Sequence, residues 1–183
     1  LESNFDNVEG RLVDLTGTYN KFNQEMKEHD LSSLALANSR ARLRMTTLYA
    51  IAGSNGGIVV GTGNKVEDFG VGFFTKYGDG GVDISPIADL MKSEVYEVAK
   101  ALDIIEEIQQ AAPTDGLWDD GRTDEEQIGA TYAELEWAMM YEENKSEDLT
   151  ERQRQVLEIY RGFNKANSHK MNPIPIFEMI NRR

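Results

Sequence analysis

The chain has 183 residues, 40% of them hydrophobic, which suits one domain with a buried core. It carries 19 Lys and Arg against 32 Asp and Glu, and the net charge of −13 repels nucleic-acid phosphates and anionic lipid. Cysteine is absent, which excludes disulfides and thiolate chemistry, and no apolar run approaches the ~20 residues of a membrane span. We expect a single cytoplasmic domain over residues 1–183 that binds neither nucleic acid nor membrane.

The first third of the chain predicts helices and one early strand. Residues 11–16 predict a short strand, residues 19–29 a polar helix, and residues 31–52 a longer amphipathic helix. In that longer helix Arg42 and Arg44 are two positions apart and point about 200° away from each other around the axis. We therefore expect that these two arginines do not share one ligand face.

A β-branched run at residues 57–64 is bounded by glycines, which predicts a buried strand of a parallel sheet. Ligands of open α/β sheets bind at the carboxyl ends of such strands. The glycine-rich residues 70–81 that follow predict a loop that closes over a ligand. Ser93 then predicts the N-cap of an amphipathic helix.

The second half of the chain is strongly acidic. Residues 115–151 hold 13 acidic and 2 basic side chains, a local charge of −11. Residues 123–126 and 150–153 fit capping boxes, and residues 151–163 predict a helix with one apolar face. The tail at residues 167–175 predicts an extended basic segment.

Several side chains could carry chemistry on the residue pattern alone. Thr62 and Glu67 follow the predicted strand and suit a nucleotide-phosphate and Mg²⁺ site, although an ordinary strand-to-helix turn fits the same pattern. Lys76 in the glycine-rich loop and Lys92 beside a helix N-terminus could each meet an anion, or could be solvated surface lysines. The two histidines, His29 and His169, are too poorly accompanied for a metal site or a catalytic triad.

Taken together, these motifs resemble NAD synthetases from residue 38 to the C-terminus. The matching stretches are residues 41–45, Gly61 and Thr62 with Glu67, the string Gly-Phe-Phe-Thr-Lys-Tyr-Gly-Asp-Gly-Gly at residues 72–81 with Asp83, residues 86–92, Pro113 and Thr114, and His169 with Lys170. The string at residues 72–81 is highly specific. The resemblance implies a doubly wound α/β fold with a parallel sheet, Rossmann-like and of the ATP-pyrophosphatase type.

The resemblance also implies a reaction and a set of site residues. ATP adenylates the nicotinate carboxylate of deamido-NAD with release of pyrophosphate, and ammonia then displaces AMP. ATP contacts are implied for Thr62, Lys92 and Thr114, an Mg²⁺ contact for Glu67, and deamido-NAD contacts for Arg42, Lys76, Asp83, His169 and Lys170. Lys92 is implied to offset charge during attack at phosphorus, and Asp79 to bind or deprotonate ammonium.

Two departures from the family leave alternatives open. Residues 63–65 read Gly-Asn-Lys, more like glutamine-dependent members, although the chain carries no glutaminase region. The Ser-Gly-Gly-x-Asp-Ser loop that cradles pyrophosphate in the family is not found, so we expect the chain to be N-terminally incomplete. The rivals are a glutamine-dependent synthetase, an inactive dinucleotide-binding or dimerisation module, and an unrelated ATP-pyrophosphatase, which the charge and the Lys76 loop disfavour. The family is homodimeric, which implies a second copy of the chain as partner.

Overall fold

The computed structural model describes residues 5–118, 120–144 and 148–179, and within these ranges the chain is mainly helical. The α-helices are α1 (Thr16–Glu25), α2 (Ser33–Ser54), α3 (Lys92–Ala101), α4 (Glu106–Gln109), α5 (Asp124–Ile128), α6 (Tyr132–Asn144) and α7 (Glu151–Met171), joined by a 3-10 turn (Lys27–His29) and a π-helical segment (Val66–Val71). None of the helices described here is long and apolar enough to cross a bilayer.

Strand pairing in the described ranges consists of one isolated parallel bridge between Val60 and Ile84. Gly61 donates its N–H to the Ile84 carbonyl at 2.7 Å, and Asp83 donates to the Val59 carbonyl at 2.9 Å. Val59 is buried, whereas Ile58 and Val60 are 59% and 52% exposed, so no second layer covers both faces of this run in the described part of the chain. The pairing is parallel as predicted, but the doubly wound sheet stays a prediction.

The strand predicted at residues 11–16 is wrong. Leu12 is 99% exposed and Val13 is 49% exposed, so this stretch lacks the packing partner that stabilises a strand. Helix α1 begins instead at Thr16, whose N–H is accepted by the Asp14 carboxylate at 2.8 Å. The Asp14 side chain therefore accepts a hydrogen bond from the first turn of α1.

The main apolar core lies where the π-helical segment packs between α6 and α7. Its largest fully buried side chains are Val66 and Val71 from the π-helical segment, Leu135 from α6, and Val156 and Leu157 from α7. Burying side chains of this size contributes ~1.5–3 kcal/mol each. The core therefore fixes the π-helical segment, which carries Glu67, against the two C-terminal helices.

Three of the predicted helix starts are confirmed. The Ser32 hydroxyl accepts the Ala35 N–H at 3.2 Å and caps α2, whose range Ser33–Ser54 begins and ends two residues later than the predicted 31–52. Capping boxes form at both predicted positions, where Thr123 and Thr150 start α5 and α7. These starts follow local side-chain chemistry, which the sequence displays directly.

Two other helix predictions are wrong. Helix α3 is capped at Met91, whose N–H donates to the Glu94 carboxylate at 2.7 Å, while Ser93 lies in the first turn and donates to Glu136. Helix α7 continues to Met171, so His169 and Lys170 lie in its last turn and not in an extended tail. The continuation puts both side chains on a rigid element.

Candidate active site

The turn after the parallel bridge is organised by Asn64, which is 2% exposed. Its side-chain oxygen accepts the N–H groups of Val66 and Glu67 at 3.0 and 3.1 Å, as a helix-capping asparagine does. The cap starts the π-helical segment and fixes the backbone of Glu67. The sequence assigned Asn64 no role, although an asparagine directly before a helical turn is a recognisable capping signal.

Glu67 lies at the centre of a group that we call the Glu67 cluster, formed by Glu67, Lys92, Asp124 and Tyr132. The Lys92 ammonium lies 2.8 Å from Glu67 Oε1, and the two side chains are 18% and 17% exposed. The Tyr132 hydroxyl donates to the same Oε1 at 2.7 Å and lies 3.2 Å from Asp124 Oδ2. The fold thus brings together Glu67 and Lys92, which are 25 residues apart in the chain.

Burial raises the pKa of two members of the Glu67 cluster, Asp124 and Tyr132. Loss of water raises the pKa of Asp124, against the lowering effect of the hydrogen bond from Tyr132. Burial and the charge of Glu67 raise the pKa of Tyr132, so its hydroxyl keeps its proton and donates. Asp124 Oδ1 is buried and has no hydrogen-bond partner among the described residues.

Glu67 was predicted to bind Mg²⁺, and its surroundings fit a metal ion shared with phosphate. Both side-chain hydrogen bonds to Glu67 end on Oε1 and leave Oε2 outside them. In residues 5–118, 120–144 and 148–179, no three His, Asp or Glu side chains are grouped as a metal site. One carboxylate suits magnesium, which fills its shell with phosphate and water oxygens.

A second region, the α2–α7 cavity, has a volume of about 580 Å³. It lies between α2, the loop at residues 72–79, residues 115–118 and the last turns of α7. Five of the predicted site residues line it: Arg42, Lys76, Asp79, His169 and Lys170. Arg44 lines it as well, but its guanidinium donates to the Asp115 and Gly116 carbonyls at 3.4 and 2.9 Å, and that Arg42 and Arg44 do not share a ligand face stays a prediction.

The cations of the α2–α7 cavity are held by backbone carbonyls. Arg42 Nε donates to the Lys76 carbonyl at 3.2 Å, Lys76 Nζ to the His169 carbonyl at 2.6 Å, and Lys170 Nζ to the Phe74 carbonyl at 2.7 Å. A carbonyl orients a cation without cancelling its charge. The arrangement therefore presents a positive wall suited to an anionic ligand.

Two acidic residues also line this cavity, Asp115 and the predicted site residue Asp79. Asp79 Oδ1 accepts the Thr75 N–H at 3.1 Å. Although the residue as a whole is exposed, the surrounding loop and α7 desolvate its carboxylate and raise its pKa, against the opposing effects of that hydrogen bond and of Lys170. Burial lowers the pKa of Lys170, and the charge of Asp79 opposes this.

Asp68 connects the two regions electrostatically. Burial first, and then the charges of Glu67 and Asp79, raise the pKa of Asp68 to about 6. Its carboxylate lies against Gly63, where an added Cβ would be 2.3 Å from either oxygen. A larger residue at this turn would therefore force the Asp68 carboxylate to move, so glycine at position 63 allows the present position of that carboxylate.

Three predicted residues lie outside both regions. Asp83 accepts the Val59 N–H at 2.7 Å through Oδ2 and braces the parallel bridge, away from the cavity lining. Thr62 is exposed at the end of that bridge. Thr114 is exposed, and its hydroxyl bonds within its own loop, to the Arg122 carbonyl and the Gly116 N–H.

The known proteins similar to this chain include NAD synthetases. The family model described as NAD synthase matches residues 4–173. An NH(3)-dependent NAD(+) synthetase of Thermoplasma acidophilum is 44% identical over 142 residues, which are 74% of this chain and 58% of the relative. One of Alkaliphilus oremlandii is 41% identical over 175 residues, 96% of this chain and 65% of the relative.

Two solved structures extend the likeness to the fold. The NMN synthetase of Francisella tularensis has a TM-score of 0.81 and 32% identity, and the match covers 94% of this chain and 68% of that chain. The NH3-dependent NAD synthetase of Campylobacter jejuni has a TM-score of 0.72 at 24% identity, over 94% and 67% of the two chains.

Over the part it covers, the chain has the fold of these nucleotide-dependent synthetases. The chain belongs to the NAD synthase family. It spans 58% and 65% of the lengths of the two sequence relatives described above.

Proposed function

We propose that the chain supplies the dinucleotide-binding wall and part of the ATP-handling apparatus of an ammonia-dependent NAD synthetase. The reaction is ATP-dependent amidation of deamido-NAD through an adenylated intermediate. In this proposal residues 1–183 are the distal part of one cytoplasmic domain with a doubly wound parallel sheet, and the enzyme is a homodimer. The sequence relatives described above are NH(3)-dependent NAD(+) synthetases, which supports ammonia as the nitrogen donor.

The observation that carries the proposal is the positive wall of the α2–α7 cavity. Deamido-NAD carries a pyrophosphate and a nicotinate carboxylate, and Arg42, Lys76 and Lys170 offer donors whose charge is not neutralised by a salt bridge to any described carboxylate. His169 borders the same cavity. The electrostatic match favours an anionic dinucleotide over a neutral ligand.

The Glu67 cluster supports a separate role in handling ATP. We assign Mg²⁺ to Glu67, where the ion would offset charge on the nucleotide phosphates. We assign to the Lys92 ammonium, 2.8 Å from Glu67, the stabilisation of the charge that develops on the α-phosphate. Thr62 and Thr114 are assigned to ATP, and Asp83 to deamido-NAD, on the family pattern alone.

Asp79 is assigned to ammonium. Its carboxylate lines the cavity, and its raised pKa makes it a better proton acceptor than an ordinary aspartate. A proton acceptor beside the adenylated carboxylate would convert ammonium to ammonia, which is the nucleophile. A partly desolvated site also protects the adenylate from hydrolysis.

The proposal is tested with the purified full-length protein, of which residues 1–183 are the distal part in this proposal. It is mixed with deamido-NAD, ATP and Mg²⁺, and NAD and AMP are measured after adding ammonium or glutamine. We expect equal amounts of NAD and AMP with ammonium. NAD formation with glutamine alone would favour the glutamine-dependent enzyme. Deamido-NAD binding without AMP release would favour the inactive binding module.

A mononucleotide substrate is the second candidate, because the similar Francisella tularensis structure is that of an NMN synthetase. Nicotinate mononucleotide presents the same nicotinate carboxylate with one phosphate. The same assay run with this substrate separates the candidates, because the preferred substrate has the higher kcat/KM. We expect the dinucleotide to be preferred.

A further inference from the structure

Tyr132 is the pivot of the Glu67 cluster, although the motifs that carry the family resemblance do not include it. It is the first residue of α6 and is 5% exposed. Its N–H donates to Glu125 Oε1 at 2.8 Å, and its hydroxyl reaches Glu67 and Asp124 at 2.7 and 3.2 Å. The start of α6 and three acidic side chains are thereby joined through one residue.

The ring of Tyr132 also contacts the cation of the cluster. The Lys92 ammonium lies 4.7 Å from the ring centroid while it bonds to Glu67 at 2.8 Å. A cation over an aromatic face is attracted by the ring's negative charge distribution. Because lysine has a flexible four-carbon stem, the ring and the carboxylate together select one of its many positions.

The hydroxyl has one proton and two carboxylate neighbours. It donates to Glu67 at the shorter distance, 2.7 Å, and so fixes the carboxylate that faces Lys92. Asp124 is the second neighbour of the hydroxyl. The backbone N–H of Asp124 donates to the Pro113 carbonyl at 3.1 Å. The network therefore extends from Glu67 to the backbone beside Thr114.

We propose that Tyr132 is a positioning residue, whose hydroxyl and ring hold Glu67 and Lys92 in the geometry that lets both act on one nucleotide phosphate. The proposal rests on the proposed function for the meaning of that geometry. Tyr132 acts through Glu67 and Lys92 and need not touch the substrate. Its effect should therefore appear in the ATP step and not in dinucleotide binding, which belongs to the α2–α7 cavity.

The first test compares Tyr132→Phe with Tyr96→Phe in steady-state NAD formation. Phenylalanine keeps the ring that fills the core and removes only the hydroxyl. Tyr96 lies on α3, one turn after Lys92, and its hydroxyl makes no hydrogen bond among the described residues, so its variant controls for loss of a hydroxyl nearby. We expect Tyr132→Phe to lower kcat about tenfold and leave the KM for deamido-NAD within about twofold, and Tyr96→Phe to change neither.

A double-mutant cycle separates positioning from general damage to the fold. If Tyr132 acts through Lys92, the loss caused by Tyr132→Phe should largely disappear when it is made in a Lys92→Ala protein. Losses that multiply in the double variant, or an unchanged kcat in Tyr132→Phe, would overturn the proposal. The cycle stays informative if the variant is less stable, because a stability loss would not depend on Lys92.

A binding measurement keeps this test distinct from the test of function. Calorimetric titration of the wild type and of Tyr132→Phe with ATP and Mg²⁺ requires no turnover. A protein that forms no NAD but binds MgATP several-fold more weakly after Tyr132→Phe would contradict the proposed function and support the positioning role. Equal MgATP affinity together with equal kcat would contradict the positioning role alone.

Discussion

In the Glu67 cluster the Lys92 ammonium lies 2.8 Å from a carboxylate, whereas in the α2–α7 cavity the ammonium groups of Lys76 and Lys170 lie against backbone carbonyls. The charge of Lys92 is already paired, so a nucleotide must compete with Glu67 for Lys92. The cavity keeps its positive charge and needs an anion to complete it. The two regions should therefore respond differently when a cation is removed.

The largest effect is expected from Lys92→Ala in the Glu67 cluster. Turnover should fall about 10²–10³-fold, because the charge that stabilises the transition state is lost, while deamido-NAD affinity should hardly change. Steady-state kinetics and a deamido-NAD titration measure the two effects. Lys100→Ala, in the last turn of the same helix, is the control and should keep full turnover. An unchanged rate in the Lys92 variant would remove the role assigned to it.

Among changes near the α2–α7 cavity, Gly72→Ala should cause the largest loss of stability. Gly72 has φ +61°, and an added Cβ would lie 2.6 Å from Asn167 Cβ on α7. We expect the free energy of unfolding to fall by about 1–3 kcal/mol, measured by urea titration. Gly53→Ala, in α2 with no atom near the added Cβ, should stabilise slightly. Equal effects in the two variants would mean that the loop does not pack against α7 this closely.

Lys76→Ala should produce a smaller, cavity-specific effect. The KM for deamido-NAD should rise about tenfold, because one charge-assisted hydrogen bond to the ligand is lost, and kcat should stay within a few-fold. Lys165→Ala is the matched control, since Lys165 is an exposed lysine of α7. A fall in kcat at constant KM would instead place Lys76 in the ATP step and erase the contrast between the regions.

The smallest effect is expected from Asp68→Asn, measured as stability against pH without Mg²⁺. The pKa of Asp68 in the folded protein is about 6, against an ordinary value of 3.8, so the folded state holds the proton more tightly than the unfolded chain. Stability contributed by this group is present at low pH and is lost as the pH rises towards about 6. Asp68→Asn should therefore raise the melting temperature by a few degrees near neutral pH.

The pH dependence supplies the control for this prediction. The gain from Asp68→Asn should shrink as the pH falls below about 6 and should disappear near the ordinary aspartate pKa. Asp89→Asn is the matched control for loss of one carboxylate, because the Asp89 side chain is 99% exposed. A constant gain at every pH would show that packing, and not ionisation of Asp68, causes the effect.

The sequence predicted the parts of this molecule that depend on local chemistry. Capping boxes at Thr123 and Thr150 and the arginine-rich helix α2 could be read directly, because a cap or an amphipathic face involves residues a few positions apart. The prediction of a strand at residues 11–16 was wrong, because a strand needs a neighbouring strand or packed layer, and periodicity alone does not show that one is present. Helix α7 extends beyond its predicted end, since its last turns donate hydrogen bonds to carbonyls of the π-helical segment and of the loop that follows it.

The sequence identified several residues of the candidate site, but it did not show which of them lie close together in the fold. Arg42, Lys76, His169 and Lys170 were identified through family motifs, and the structure brings them to one cavity. Tyr132 and Asp124 were missed, because a buried tyrosine in an acidic stretch looks like ordinary helix packing. Their significance lies in distances to Glu67 and Lys92 that no local pattern encodes.

The most direct test of the division between the two regions is a crystal structure of the protein with deamido-NAD. We predict that the dinucleotide lies in the α2–α7 cavity, that its phosphates or nicotinate carboxylate contact Arg42, Lys76 or Lys170, and that the ion pair between Glu67 and Lys92 stays intact. Deamido-NAD bound at the Glu67 cluster, with the cavity empty, would contradict the account.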